Sequence, residues 1–247
     1  MYLELMLLVI LVMPLSVMNT KISRLEKPFA TVRTGALYAA IGILLVFVLA
    51  FAGGHSLGAY MDKGIEKTVE TVVGNKQALE ALGMADLSKA KAISTLTTIY
   101  SAAAAMLPAM LMILGAVVSY IEYNILIRIR YRKMNTNSFK PFAYIRNFGL
   151  SNNDVMGWFI IYLISYILKY AGVEVGAVAV ANINILVECI FAVQGLSVVF
   201  MFCKFKKIPK VVPVIVAVFM LMMPLGRTLL FTFGLLDLLL NLKKRYI

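Results

Sequence analysis

Six stretches dominated by apolar positions organise this chain, each parted from the next by polar or basic residues. They cover roughly residues 3–18, 35–52, 95–120, 155–170, 177–203 and 211–240. Several are about 18 residues or longer with few charges, which predicts transmembrane helices. Pro14 predicts a kink in the first, and Gly53-Gly54 ends the second. The third continues in a helical pattern to about residue 133. Between the second and third, Leu57, Tyr60, Met61, Ile65, Thr68, Val69 and Val72 recur at helical spacing. Asp62, Lys63, Glu66, Lys67 and Glu70 fill the other face. That pattern predicts an amphipathic helix, lying on the outer leaflet or folded over the bundle as a lid.

Composition agrees with a membrane setting. The chain is 62% hydrophobic with a mean hydropathy of +0.89, far above the soluble average. The net charge of +12 points away from nucleic acid, because the basic residues flank hydrophobic runs, where they orient helices and meet anionic lipid heads. The first 18 residues lack the marks of a signal peptide: Glu4 stands where the basic region should be, and no A-x-A-like cleavage site follows. Cys189 and Cys203 share one predicted helix about 21 Å apart and cannot bridge each other.

Charge also predicts orientation. The basic stretches at residues 19–34, 122–152 and 204–210 alternate with a neutral loop at about 53–94, which holds five lysines and five acids. The positive-inside rule then places the basic loops in the cytoplasm and the neutral loop and N-terminus outside. Lys243-Lys244-Arg245 dissents if the last run crosses once. That run is overlong and interrupted by Pro224-Leu-Gly226. It reads either as one kinked crossing, slightly favoured, or as a hairpin of two half-helices returning the tail inside.

The last two runs each hide one charge, Glu188 and Arg227. Both fall roughly 15 Å deep at 1.5 Å per residue. An ionisable group in hydrocarbon is costly unless partnered, so the two are expected to pair. The upper parts of neighbouring helices are also polar, with Tyr162, Tyr166, Lys169 and Tyr170 in one and Asn182 and Asn184 in the next. Converging, these faces would line an outward-opening pocket suited to a small polar or aromatic ligand. Glu188 and Arg227 would form its floor, Asn182 and Asn184 would orient ligand groups, and Tyr166 and Tyr170 would stack. A structural polar network is the competing reading.

Other chemistry finds little support. Gly54-His55-Ser56-Leu57-Gly58 matches a G-x-S-x-G elbow, but no strand precedes it and the chain's one histidine lies inside it. One histidine and two distant cysteines cannot supply a zinc shell, and no phosphate-binding G-x-x-x-x-G-K-[ST] loop is present. The chain is read as neither an enzyme nor a holder of cofactors. Small residues at four-residue spacing, Ser101, Ala105 and Ala109 in the third run and Ala36 and Ala40 in the second, predict close helix packing. They would pack within the bundle or dock a partner subunit. Arg128 and Arg132, one turn apart, would meet lipid phosphate or a cytoplasmic partner.

From residue 106 onward a string of features resembles a known family. Met106-Leu-Pro-Ala-Met leads into Ile121-Glu-Tyr-Asn and an arginine-rich run, followed by Lys140-Pro-Phe. Then come Asn182, Phe191-Ala-Val-Gln-Gly195-Leu-Ser-Val-Val, and Gly234-Leu-Leu-Asp237 ahead of the Lys-Lys-Arg245 tail. The chain resembles the YybS-like family of bacterial multi-pass membrane proteins over about two-thirds of its length. Members usually extend further at the N-terminus, and the basic loop after Pro14 resembles the one after their second helix. The resemblance thus implies a start one helix into the family pattern; restoring that helix moves the N-terminus to the cytoplasm. It also implies a broad likeness to the capture subunits of energy-coupling-factor transporters, which are small, helical and without an ATPase. A further implication is association with a membrane phosphodiesterase for cyclic dinucleotides.

The combined expectation is an all-α, polytopic transmembrane bundle of about six helices with an extracellular amphipathic helix, forming one integral membrane domain over residues 1–247. Its expected setting is the bacterial plasma membrane. The leading functional reading is a small-molecule-binding subunit that borrows ATP hydrolysis from a partner module. The alternative is a non-transporting partner that regulates or stabilises an envelope or nucleotide-signalling enzyme.

Overall fold

Four helices are long and apolar enough to cross a membrane: Glu4–Ser23, Pro28–Ala50, Leu107–Arg130 and Gly176–Phe205. They belong to a computed structural model that describes residues 2–24, 26–53, 57–131, 142–172, 174–209 and 211–243. Regular structure among the described residues is helical throughout. In chain order the α-helices are α1 (Tyr2–Ser23), α2 (Pro28–Ala52), α3 (Leu57–Gly74), α4 (Lys76–Ala81), α5 (Lys89–Ala105) and α6 (Leu107–Tyr131). After a 3-10 turn at Ile145–Asn147 come α7 (Asn152–Tyr170), α8 (Glu174–Phe205), α9 (Val211–Met222) and α10 (Pro224–Leu240). Helices cover all six hydrophobic stretches, the third and the sixth each broken in two. Among the described residues, however, the membrane-capable spans number four, or five if the bent pair α9–α10 is one span, fewer than the six expected. Leu8, Leu49, Ile129 and Ile167 are more than half exposed, as befits side chains facing hydrocarbon, and the protein is an integral membrane protein.

The first half of the bundle is a triad of α1, α2 and α6. Met6, Ile10, Ile43, Val46 and Leu111 fill one layer between them. Met18, Ile22, Val32, Tyr123 and Ile127 fill another. The α1 helix runs through Pro14, which is buried. Small residues let α2 and α6 approach: a Cβ on Gly115 would lie 2.9 Å from that of Ala39, and one on Gly35 would lie 3.2 Å from that of Ser119. The buried stripe on α2 is thus Gly35 and Ala39, one residue away from the predicted Ala36 and Ala40, which are half-buried. Of the other predicted packing residues, Ala109 is fully buried on α6, Ala105 is half-buried and Ser101 is exposed. Ser101 and Ala105 belong to α5, outside the membrane-length helix, so the three do not form one face.

The separation of α5 from α6 has a local cause. Pro108 has no N–H, so the helical ladder lapses and Met106 turns back to Ala103. Asn182 of α8 repairs the gap. Its side-chain oxygen accepts from the Ala109 N–H at 2.8 Å, and its amide donates to the Ala105 carbonyl at 2.7 Å. The inserted amide thus takes the place of the helical bond from Ala109 to Ala105. A second donation, to the Val178 carbonyl at 2.8 Å, anchors the side chain to its own helix. Beyond the break, α5 packs along the amphipathic α3, burying Val69, Ala92 and Leu96. This pair extends from the end of the bundle opposite the basic loops, joined to it at α2 and α6.

At the basic end, Arg130 donates to Asn19 at 2.7 Å, Arg33 pairs with Asp154, and Phe29 meets Phe148 edge-on at 5.4 Å. Asp154 also closes a capping box with Ser151 at the start of α7. These contacts tie α1, α2 and α6 to the start of α7, so the basic loops share one face of the bundle. Arg128 is exposed on that face. Arg132 and the Gly54-His55-Ser56 segment lie outside the described residues.

The second half is built on α8, against which α7 and α10 pack. Here the favoured single crossing of the last run gives way to the hairpin. The axes of α9 and α10 differ by 112°. The 12 residues of α9 rise only about 18 Å, well short of a hydrocarbon core of about 30 Å. The chain just past α10 then returns to the basic end, where the Lys243 ammonium donates to the Phe148 carbonyl. Gly226 permits the elbow, since a Cβ there would stand 2.3 Å from the Met220 carbonyl oxygen.

Replacing Asn182 with leucine leaves the Ala109 N–H and the Ala105 carbonyl without partners beside a proline. We predict a loss of about 1–3 kcal/mol for each orphaned group, measured as reversible unfolding in mixed detergent micelles. Replacement of exposed Asn153 by leucine serves as the control and should cost less than about 0.5 kcal/mol.

Candidate binding cleft

Three helical stripes converge on one cleft. From α7 come Val155, Trp158, Phe159 and Tyr162; from α8 come Asn184, Val187, Glu188 and Phe191; from α10 come Thr228, Phe231 and Leu235. The sets from α7 and α8 follow an i, i+3, i+4, i+7 pattern and that from α10 an i, i+3, i+7 pattern, which keeps side chains on one helical face. The space between them is about 650 Å³, within the range of about 300–1,000 Å³ common for small-molecule sites. Five of its eleven lining residues are aromatic, and Phe191 and Phe231 lie 5.3 Å apart between ring centres.

Glu188 is the one charged side chain in this lining. It stands roughly midway along α8, exposed to the cleft one turn from Asn184. Among the described residues neither makes a side-chain hydrogen bond, and no ion pair reaches Glu188. The expected pairing with Arg227 does not occur. The Arg227 Nε instead donates to the Leu221 carbonyl at 2.8 Å, bracing the elbow between α9 and α10 from its exposed face. Break geometry explains this: helix α10 starts at Pro224, which turns Thr228, and not Arg227, into the cleft.

The remaining predicted pocket residues also divide. Asn182 is buried at the break between α5 and α6, where both of its amide hydrogens are donated to backbone carbonyls and its oxygen accepts from Ala109, and it does not line the cleft. Tyr166 and Tyr170 extend the α7 stripe beyond the cleft as a ladder, with ring centres 5.1 Å apart from Tyr162 to Tyr166 and 5.9 Å from Tyr166 to Tyr170. Lys169 lies over the Tyr166 ring at 5.6 Å. This ladder lines a shallow groove that joins the cleft at Phe159 and Tyr162. The cleft itself reaches the first turns of α7, so it sits lower in the bundle than an outward-opening pocket would.

Beneath the cleft lies a polar cluster that hydropathy alone passed over. The Asp237 carboxylate accepts from the Gln194 amide and from the Lys243 N–H at 2.9 Å, and the Lys243 ammonium stands 3.1 Å from it. Gln194 accepts in turn from the Leu150 N–H at 3.2 Å. The Lys243 ammonium also donates to the Ser197 hydroxyl at 3.0 Å. Burial pushes the Lys243 amine below its ordinary pKa, while Asp237 pulls it back up. Immediately above, α8 and α10 touch backbone to backbone. A Cβ on Gly195 would fall 2.0 Å from the Leu230 carbonyl oxygen, and one on Gly234 would fall 2.1 Å from that of Phe191. Asp237 was a detectable signal, being a carboxylate inside an apolar run by the same logic that marked Glu188.

Residues 1–238 match the family model described as predicted membrane protein (DUF2232). The chain belongs to this family. The matched span takes in both halves of the bundle and the α8–α10 contact, including Gln194, Gly195, Gly234 and Asp237. Membership in DUF2232 agrees with the apolar helices in placing the chain in a lipid bilayer. No curated protein and no solved structure matches the chain.

Because Glu188 and Arg227 do separate work, their substitutions should be independent. In a double-mutant cycle of Glu188→Gln and Arg227→Gln, we predict effects on unfolding free energy that add within about 0.5 kcal/mol. A coupling well above that value would restore the pair.

Proposed function

We propose that this protein is a small-molecule-binding subunit of a bacterial plasma membrane, and that the cleft between α7, α8 and α10 is its site. The observation that carries this reading is the unpartnered Glu188 carboxylate beside Asn184, at mid-helix in an aromatic cleft. A carboxylate at that depth costs several kcal/mol unless an opposite charge or a polar partner meets it. Among the described residues, the cations of α7 and α10 are engaged elsewhere: Arg227 braces the elbow and Lys169 covers Tyr166. The retained polarity therefore serves something that enters from outside the chain. A broken helix beside the cleft adds support, because membrane transporters commonly build substrate sites where helices are interrupted.

Binding is the reading adopted for the cleft, whose lining has one carboxylate, at Glu188, beside the Tyr162 phenol and the Thr228 hydroxyl. The resemblance to YybS-like proteins, and through them to capture subunits without an ATPase, fits a component whose energy comes from a partner module. Exposed Arg128 on the basic face is available to such a partner.

Native mass spectrometry of protein released gently from micelles tests the reading. We predict a small-molecule adduct on the wild type that is lost or strongly reduced in Glu188→Gln. Ligand-free wild type that copurifies with one membrane enzyme would instead favour the regulatory alternative.

A further inference from the structure

We propose that the cleft takes a lipophilic organic cation, with its positive centre against the Glu188 carboxylate and its apolar substituents against Trp158, Phe159, Phe191 and Phe231. This rests on the small-molecule reading above and specifies the ligand's charge and character.

The lining selects for charge. Glu188 is the one acidic side chain in the lining, and among the described residues no cationic side chain lines the cleft to offset it. The hydroxyl of Thr228 already donates to the Pro224 carbonyl at 3.2 Å, leaving its lone pairs toward the cleft. An anionic ligand would thus meet a carboxylate and hydroxyl lone pairs with no charged donor in return. Aromatic rings add to the preference, since their faces are electron-rich and attract cations more strongly once water is excluded.

The same lining selects against a bare metal ion. Calcium and magnesium demand about six or more oxygen ligands or retained waters, whereas most of this surface is aromatic and aliphatic carbon. An ammonium or phosphonium centre needs no such shell when its substituents carry the apolar contact. At mid-membrane depth the ionic attraction is little screened by salt. One charge thereby orients a ligand that the rings hold without directional bonds.

Trp158 is the chain's one tryptophan and lines the cleft, so its emission reports occupancy directly. Tetraphenylphosphonium and tetraphenylborate, nearly the same shape with opposite charge, are titrated into protein held in lipid nanodiscs. The phosphonium should change Trp158 emission saturably, while the borate shows only linear partitioning into lipid. Glu188→Gln should weaken the phosphonium response by about tenfold or more. Glu188→Asp, which keeps the charge, should stay within a few-fold and so separates lost recognition from misfolding. Undiminished phosphonium affinity in Glu188→Gln, saturable borate binding, or no saturable phosphonium response would each overturn the cation assignment. The wider small-molecule reading fails separately, through a wild type that carries no adduct in native mass spectrometry.

Discussion

The contact between α8 and α10 at Gly195 and Gly234 is the constraint on which the second half of the structure depends. Neither position has room for a Cβ, because a backbone carbonyl occupies that space in each case. Helices this close gain van der Waals contact that lipid cannot match, which is what drives association inside a bilayer. The contact is then locked from below. Asp237 joins α10 to Gln194 of α8, and Lys243 joins the chain end to Asp237, Ser197 and the Phe148 carbonyl. A buried carboxylate is tolerable here because each of its oxygens has a donor. With α10 pinned in this way, its Thr228, Phe231 and Leu235 stripe must face α7 across α8, and the cleft follows.

Two broken helices give the bundle its character. At the first break, Pro108 removes a donor and Asn182 bridges the gap from a different helix, which also fastens the two halves together. At the second, Met223 precedes Pro224, Gly226 clears the elbow and Arg227 braces it. In both places a polar side chain that looks like a ligand contact is instead satisfying backbone groups that hydrocarbon could not. That distinction isolates Glu188. Among the described residues it is the cleft's one acidic side chain and has no hydrogen-bond or ion-pair partner, while on α6 one buried carboxylate oxygen of Glu122 is also without a hydrogen-bond partner.

Much of the architecture was legible in the pattern of apolar residues. Helix existence followed from run length, and the shared basic face followed from the positions of Arg33, Arg128 and Arg130. The amphipathic α3 was visible in its periodicity, though its partner α5 was not, because residues 95–105 merged with the apolar run after them. The site was less legible. Depth counted along a helix put Glu188 level with Arg227, but depth ignores rotation, and a helix beginning at Pro224 sets which residue turns inward. The small-residue face on α2 was misplaced by one position for a similar reason: Ala36 and Ala40 fit the spacing as well as Gly35 and Ala39, and only packing chooses between them. Gln194-Gly195 and Gly234-x-x-Asp237, which carried the family resemblance, turned out to be the α8–α10 contact itself. Their meaning needed two helices in view at once.

The re-entrant course of α9 and α10 is the central claim, since it fixes both the cleft and the position of the tail. Cysteine labelling with a membrane-impermeant maleimide tests it most directly, in a background with Cys189 and Cys203 replaced by serine. Asn153→Cys marks the basic end of the bundle and Gln77→Cys marks the opposite end, both at exposed positions. Asn241→Cys, exposed just past α10, should react from the same side as Asn153→Cys. Reaction from the side of Gln77→Cys would mean that the last run crosses the membrane once, contradicting the account.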